Sequence, residues 1–180
     1  MGIIKTRRDA TITIGALSGG AFNEATAALK PGAYSLEIDL EAGDFTWNAP
    51  GPTIVDFFDR DEYTDPPQVR KGTDQPCTVS FSKHMDKLTD SVAATLLDII
   101  NQTGYVGANW PSTMGSAPGC AEVFTVDILY RVEATDHCET ADMALLFKYV
   151  TVVGGGSEGT PNSITFNGVG HTAYPIPIEI

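Results

Sequence analysis

Three carboxylates recur with a spacing of two at Glu37, Asp39 and Glu41. In an extended strand they share one face, with neighbours about 6.6 Å apart at a rise of roughly 3.3 Å per residue. Paired carboxylates can serve glycoside hydrolysis as acid and base. The separation alone is not diagnostic, and no other residue marks a cleft. Their mutual repulsion calls for water or cations beside them. A second polar cluster, Asp136-His137-Cys138-Glu139, has the side chains of a metal site but not the paired, spaced ligands of zinc. It reads as a hairpin turn. Gly154-Gly155-Gly156-Ser157 has the glycines of a phosphate loop without the Gly-Lys-Ser/Thr ending or a following helix. No Gly-x-Ser-x-Gly elbow frames a serine, Cys77 falls in an alternating strand, and His84 and His171 stand alone. An enzyme is therefore not expected, and no metal or cofactor is implied.

The elements that would position these residues are mostly strands. Ala10 to Gly15 alternates, and 15–31 is a small-residue loop or a weak helix through Asn23 to Leu29. From Ala33 to Glu41, Tyr34, Leu36, Ile38 and Leu40 point one way; Ser35 and the three acids point the other. Gly43-Asp44 then turns into Phe45-Thr46-Trp47, which predicts a hairpin over 33–48. Thr53 to Phe58 is an apolar strand. Residues 59–74 carry Asp59, Arg60, Asp61, Glu62, Arg70 and Lys71 around Pro66-Pro67, with no core periodicity, and predict a long exposed loop. Pro76 to His84 is a strand with Cys77, Val79 and Phe81 inward.

One amphipathic helix is predicted over 89–102. Thr89 caps it, Asp90 sits in its first turn, and Gly104 stops it. Val92, Ala93, Leu96, Leu97 and Ile100 form its apolar stripe, with Val92, Leu96 and Ile100 at the core, while Asp90, Asp98 and Gln102 face outward. After a turn-rich stretch, Val123 to Thr135 alternates. Phe124, Val126, Ile128, Tyr130 and Val132 face inward, against Thr125, Asp127, Arg131 and Glu133. Asp142 to Val153 is its antiparallel partner, broken by the glycines at 154–156. Ser163 to Val169 is a further strand, and 170–180 an extended tail. The fold class is mainly β: an antiparallel sandwich or rolled sheet with one packed helix.

At 180 residues the chain predicts a single domain, with 1–9 as a basic arm. A chain this long needs neither disulfide nor metal to fold, and three cysteines without CxxC spacing indicate no disulfide framework. A net charge of −12 argues against binding nucleic acid by neutralising its backbone. No signal peptide and no membrane span are visible, so residence in a cytoplasm is expected.

The run Tyr34-Ser35-Leu36-Glu37-Ile38-Asp39-Leu40-Glu41-Ala42-Gly43-Asp44-Phe45-Thr46-Trp47 resembles the first inner hairpin of tailed-bacteriophage tail tube proteins. Val69-Arg70-Lys71-Gly72-Thr73-Asp74-Gln75-Pro76-Cys77-Thr78-Val79-Ser80-Phe81 is similar to the strand entry after their long loop. The helix and the paired strands 123–135 and 142–153 follow in that family's order, so the likeness spans roughly 33–153.

The resemblance implies a structural virion protein: a subunit of stacked, hexameric rings that form a hollow tube through which DNA passes without specific binding. It implies homo-oligomers, contact with other tail proteins (terminator, tape measure, distal tail or baseplate), and a place in the virion tail after assembly in the host cytoplasm. Six copies of −12 would give a ring −72, and a negative lumen would let DNA slide. Glu37, Asp39 and Glu41 become lumen candidates, and Asp90, Asp98 and Gln102 would face outward or toward a neighbouring subunit. The 59–74 loop and arm 1–9 become candidates for contact between rings. Two other readings stand beside it. One is a β-sandwich module binding carbohydrate or protein through Trp47, Tyr63, Trp110 and Tyr174; the other is a small hydrolase.

Overall fold

The structure is a computed structural model that describes residues 10–39, 45–57, 68–84, 87–115, 123–133, 141–157 and 163–180. Ten strands occur among these residues: β1 (Ala10–Ala16), β2 (Tyr34–Asp39), β3 (Thr46–Asn48), β4 (Pro52–Phe57), β5 (Gln68–Asp74), β6 (Cys77–His84), β7 (Thr125–Val132), β8 (Met143–Ser157), β9 (Ser163–Gly170) and β10 (Ile176–Glu179). Two short helices, α1 (Leu96–Asn101) and α2 (Gly104–Asn109), lie between β6 and β7. The main sheet is antiparallel in the order β2-β1-β7-β8-β9-β6-β3. The long β8 is its axis. β7 lines one edge, while the other edge is shared by β9 along the second half and β10 along the first. The mainly β, antiparallel architecture expected from the sequence is the one observed.

The sheet rolls. Four strand spacings separate β3 from β7, about 19 Å in a flat sheet at roughly 4.8 Å each. Yet Phe45, just before β3, stacks on Tyr130 of β7 with ring centroids 4.4 Å apart. Leu36 on β2 and Lys83 and His84 on β6 line one common pocket, so the two ends of the sheet approach each other. The roll encloses a core of Ile12, Ile14, Ile38, Phe81, Ile128, Phe147 and Phe166, closed by Leu96 and Ile99 of α1 and Val106 of α2.

A second core lies on the outer face. Ala21, Phe22 and Ala27 pack there on Leu129, Ala144, Leu146 and Ile178. Segment 17–33 is not helical: Asn23 Oδ1 accepts the Ala25 N–H, Phe22 bridges to Leu29, and Ala27 takes a positive φ of 54°. Because both faces of β7 are covered, its predicted alternation disappears, and Thr125, Asp127 and Leu129 are as buried as Val126 and Ile128.

Several boundaries differ from expectation. The predicted 33–48 hairpin does not form, because β2 pairs with β1 and β3 with β6, at opposite ends of the sheet order. Long-range pairing outcompetes the local turn. Within the described residues the alternation is as read: Ile38 is buried, Tyr34 and Leu36 are half-buried, and Ser35 and Glu37 are exposed, while Leu40 lies outside the described residues. Residues 154–156 do not break β8; they stay paired with Phe166, Thr165 and Ile164.

The predicted helix 89–102 shrinks to α1. Its cap is Thr95, not Thr89, and the stop is Gln102, whose φ of 55° is left-handed; Gly104 instead begins α2. Asp90 lies outside it and accepts the Val92 N–H in a local turn, which competes with helix. Val92, assigned to the core stripe, is therefore 79% exposed, whereas Leu96 is buried and Ile100 packs half-buried on the core.

Candidate functional site

Among the described residues, 52–57 and 68–74 form a two-stranded ribbon apart from the main sheet. Here β4 pairs, among the described residues, with β5 alone, with Ile54 opposite Lys71 and Val55 opposite Arg70. The expected loop 59–74 is corrected at its second half, because Arg70 and Lys71 stand on a paired strand; Asp59, Arg60, Asp61 and Glu62 lie outside the described residues. Thr53 Oγ1 donates to the Thr73 carbonyl near the ribbon's base, and Lys71 pairs with Asp74 at 2.8 Å. Of the stretch read as an apolar strand, Thr53 to Phe58, Ile54 is 70% and Val55 42% exposed, so these two do not face the core; Phe58 lies outside the described residues. Ile54 and Lys71 share one face, and Val55 and Arg70 the other, because directly opposed residues of an antiparallel pair project to the same side. A two-stranded ribbon is marginal in water on its own.

A second exposed apolar feature lies where β7, β8 and β10 run side by side. Tyr130, Val132, Met143, Leu145 and Pro177 line a pocket of about 520 Å³, with the exposed Glu179 among its walls. Met143 is 45% exposed. Beside it Arg131 is ion-paired with Asp142.

Among the described residues the path of the main sheet ends in β2 and β3, and β10 forms a further edge beside β8. Glu37 projects from β2 into solvent, opposite Thr13 of β1. Asp39 is the last residue of β2, its side chain outside the description, and Glu41 lies outside the described residues. The structure thus places only one of the three lumen candidates.

No family model, curated protein or solved structure matches the chain.

Among the described residues no group of three or more His, Cys, Asp or Glu is arranged to hold a metal. The Asp136–Glu139 cluster and Tyr63 lie outside them. Cys77 is buried and unpaired, and burial pushes its thiol pKa up. Of the turn aromatics, Trp110 is buried and stacks on Tyr34 at 6.3 Å, so it offers no face to a sugar; Trp47 and Tyr174 are about half exposed. Among the described residues no helix is long and apolar enough to cross a membrane.

Two buried aspartates, both expected to face outward, turn out to fasten the surface loops. Asp98 is fully buried and accepts from Thr89 Oγ1 (2.7 Å), Thr95 Oγ1 (2.8 Å), Thr103 Oγ1 (2.9 Å) and the Asp90 N–H (3.0 Å). Thr95 Oγ1 in return accepts the Asp98 N–H, the N-cap bond of α1 in the run Thr95-Leu96-Leu97-Asp98. Burial pushes the Asp98 pKa up, but the hydrogen bonds outweigh it and hold the group below the usual carboxylate range.

Asp127 sits at a bulge in the β7–β8 pairing, where Tyr149 has a φ of 54°. Its two oxygens accept the Tyr149 N–H (3.0 Å) and the Ala21 N–H (2.8 Å), tying segment 17–33 to the sheet. Lys148, nearby, is ion-paired with Glu24. Burial dominates here and raises the Asp127 pKa despite those donors. Both groups fasten surface segments, Asp98 to α1 and Asp127 to the sheet. The Thr-x-x-Asp spacing could have flagged Asp98; no local signal marks Asp127, whose burial depends on a segment a hundred residues away.

Proposed function

We propose that the chain is a structural subunit that polymerises with copies of itself into a tube, as stacked and hexameric rings, in the manner of a phage tail tube. One observation carries the reading: the β4–β5 ribbon stands outside the main sheet with Ile54 70% exposed. A ribbon of this kind gains stability when another surface covers it. Two further features fit. The rolled sheet leaves β2 and β3 as edges that pairing with neighbours would remove. The net charge of −12 suits a channel wall that DNA passes without sticking. In this reading the ribbon makes contacts between rings, Glu37 faces the lumen, and the terminator, tape measure and distal tail or baseplate proteins are the partners. No catalysis belongs to it.

Electron microscopy of the purified protein, alone at rising concentration and with an initiating baseplate partner, tests the reading. Rings or tubes with a central hole are expected. A monodisperse monomer under every condition overturns it. Replacing 52–74 by a short Gly-Ser link should leave a folded protein that no longer polymerises.

A further inference from the structure

We infer that the ribbon and the apolar pocket are the two halves of one contact, with Ile54 of one copy seated in the β7–β8–β10 pocket of the next. This rests on the self-assembly reading and specifies its partner surface. The two surfaces match in three respects. The first is chemistry: Ile54 is 70% exposed, and the pocket is walled by Val132, Met143, Leu145 and Pro177. The second is size. A cavity of about 150 Å³ holds a benzene ring, so about 520 Å³ admits an isoleucine side chain together with part of its strand. The third is charge. Lys71 lies directly opposite Ile54 on the same ribbon face, and Glu179 stands exposed in the pocket wall. When Ile54 enters, Lys71 comes to the side where Glu179 is, and can share itself between Glu179 and its present partner Asp74.

The halves lie on different parts of the chain, so the contact is heterologous. Such a contact repeats from copy to copy and gives a ring or a filament. It also sets a requirement that an isologous dimer would not: a copy damaged in the ribbon still offers a good pocket, and a copy damaged in the pocket still offers a good ribbon.

Ile54→Asp and Met143→Lys test this by analytical ultracentrifugation over a concentration series, alone and mixed. Both positions are exposed, so thermal melts should match the parent protein. Each variant alone should associate at least tenfold more weakly than the parent. The equimolar mixture should yield a discrete one-to-one dimer, because one intact ribbon meets one intact pocket. Either variant assembling like the parent overturns the contact while leaving self-assembly standing, and so does a mixture that stays monomeric. A parent protein that never associates overturns the assembly reading itself. Should either variant misfold, Lys71→Glu and Glu179→Lys replace them: each is expected to weaken association, and the combined reversal in one chain to restore it. Failure of that restoration also overturns the contact.

Discussion

Phe45 lies flat on Tyr130, with ring centroids 4.4 Å and planes 6° apart, and this stack spans the mouth of the roll. Phe45 also meets Phe147 edge-on at 6.0 Å, as Trp47 does at 6.3 Å. These rings join the β3 end of the sheet to its centre, where no backbone pairing among the described residues connects them. Phe45→Ala removes a half-buried ring and a stacked pair, and is expected to cost about 2–3 kcal/mol. For a chain of this size that is a fall in Tm of roughly 5–10 °C, to be read by calorimetry. Phe45→Leu should recover part of the loss by restoring apolar area without the stack. A Phe45→Ala protein as stable as the parent would mean that the roll closes without this contact.

Gly154 lies under Ile100 of α1: a Cβ there would come within 2.4 Å of Ile100 Cδ1 and 2.9 Å of the Thr165 carbonyl oxygen. The glycine lets the helix approach β8, while the pairing of 154–156 with β9 carries the strand on through the glycine run. Gly154→Ala is expected to destabilise by about 1–3 kcal/mol through overpacking. Ile100→Val in the same chain should return only part of that, since the backbone carbonyl cannot yield as a side chain can. Denaturant midpoints of the two single variants and the double variant give the coupling directly.

Val92 and Leu96 look equivalent in the sequence, four residues apart on one apolar stripe, but the structure separates them: 79% against 5% exposed. Leu96→Asp puts a carboxylate without partners into the core and should abolish folding, and assembly with it. Val92→Asp should move stability by no more than about 0.5 kcal/mol. Circular dichroism melts of the two variants suffice, and a large loss from Val92→Asp would restore the longer helix.

The contrast shows what in the fold was legible. Period-two patterning placed β1, β6, β7 and β9, and the inward sets Tyr34, Leu36, Ile38 and Cys77, Val79, Phe81, because alternation reports the face a strand turns to its own core; β8, apolar on both faces, was placed as the partner of β7. It could not report that β7 is covered twice, since the second cover, Ala21 and Phe22, is remote in sequence. Partners were equally invisible: β2 and β3 flank a good turn yet pair at opposite ends of the sheet. The exposed Ile54 read as core because an apolar residue on a strand carries no mark of where its cover comes from. Of the candidate site, Arg70 and Lys71 were seen as exposed charges, but their ribbon was missed, because its pairing is set by Ile54 and Val55 across the loop.

The two buried aspartates should give opposite pH signatures. The Asp98 pKa is lowered by its four hydrogen bonds against the effect of burial, so its contribution is complete above the unfolded value near about 3.9 and is lost as pH falls through the native pKa. The Asp127 pKa is raised by burial, so the native state holds its proton more tightly than the unfolded chain does. Its contribution is greatest below about 3.9 and declines as pH rises through the native pKa. Tm measured from acid to neutral pH in Asp98→Asn should lose the acid-side fall of the parent. Asp127→Asn should lose the decline on the rising side. Asparagine costs stability at both sites, so the readout is the slope against pH, and an unchanged slope in either variant would show that the other groups of the chain set it.

Glu37 projects from the edge strand β2 into solvent, with Thr13 as its cross-strand neighbour. If the β2 face lines the channel of an assembled tube, its charge acts on DNA that carries about one charge per 1.7 Å of axis. A carboxylate there repels the phosphates, and a lysine would hold them. Glu37→Lys combined with Asp39→Lys should therefore leave assembly intact and make tubes retain DNA. The retention should weaken steeply as salt rises, because each lysine–phosphate contact releases a counterion, and screening shortens to about 8 Å at physiological ionic strength. Release of labelled DNA from tubes over a salt series measures this. Release as fast as from the parent at low salt would remove Glu37 from the channel wall and assign the β2 face to a contact between neighbours.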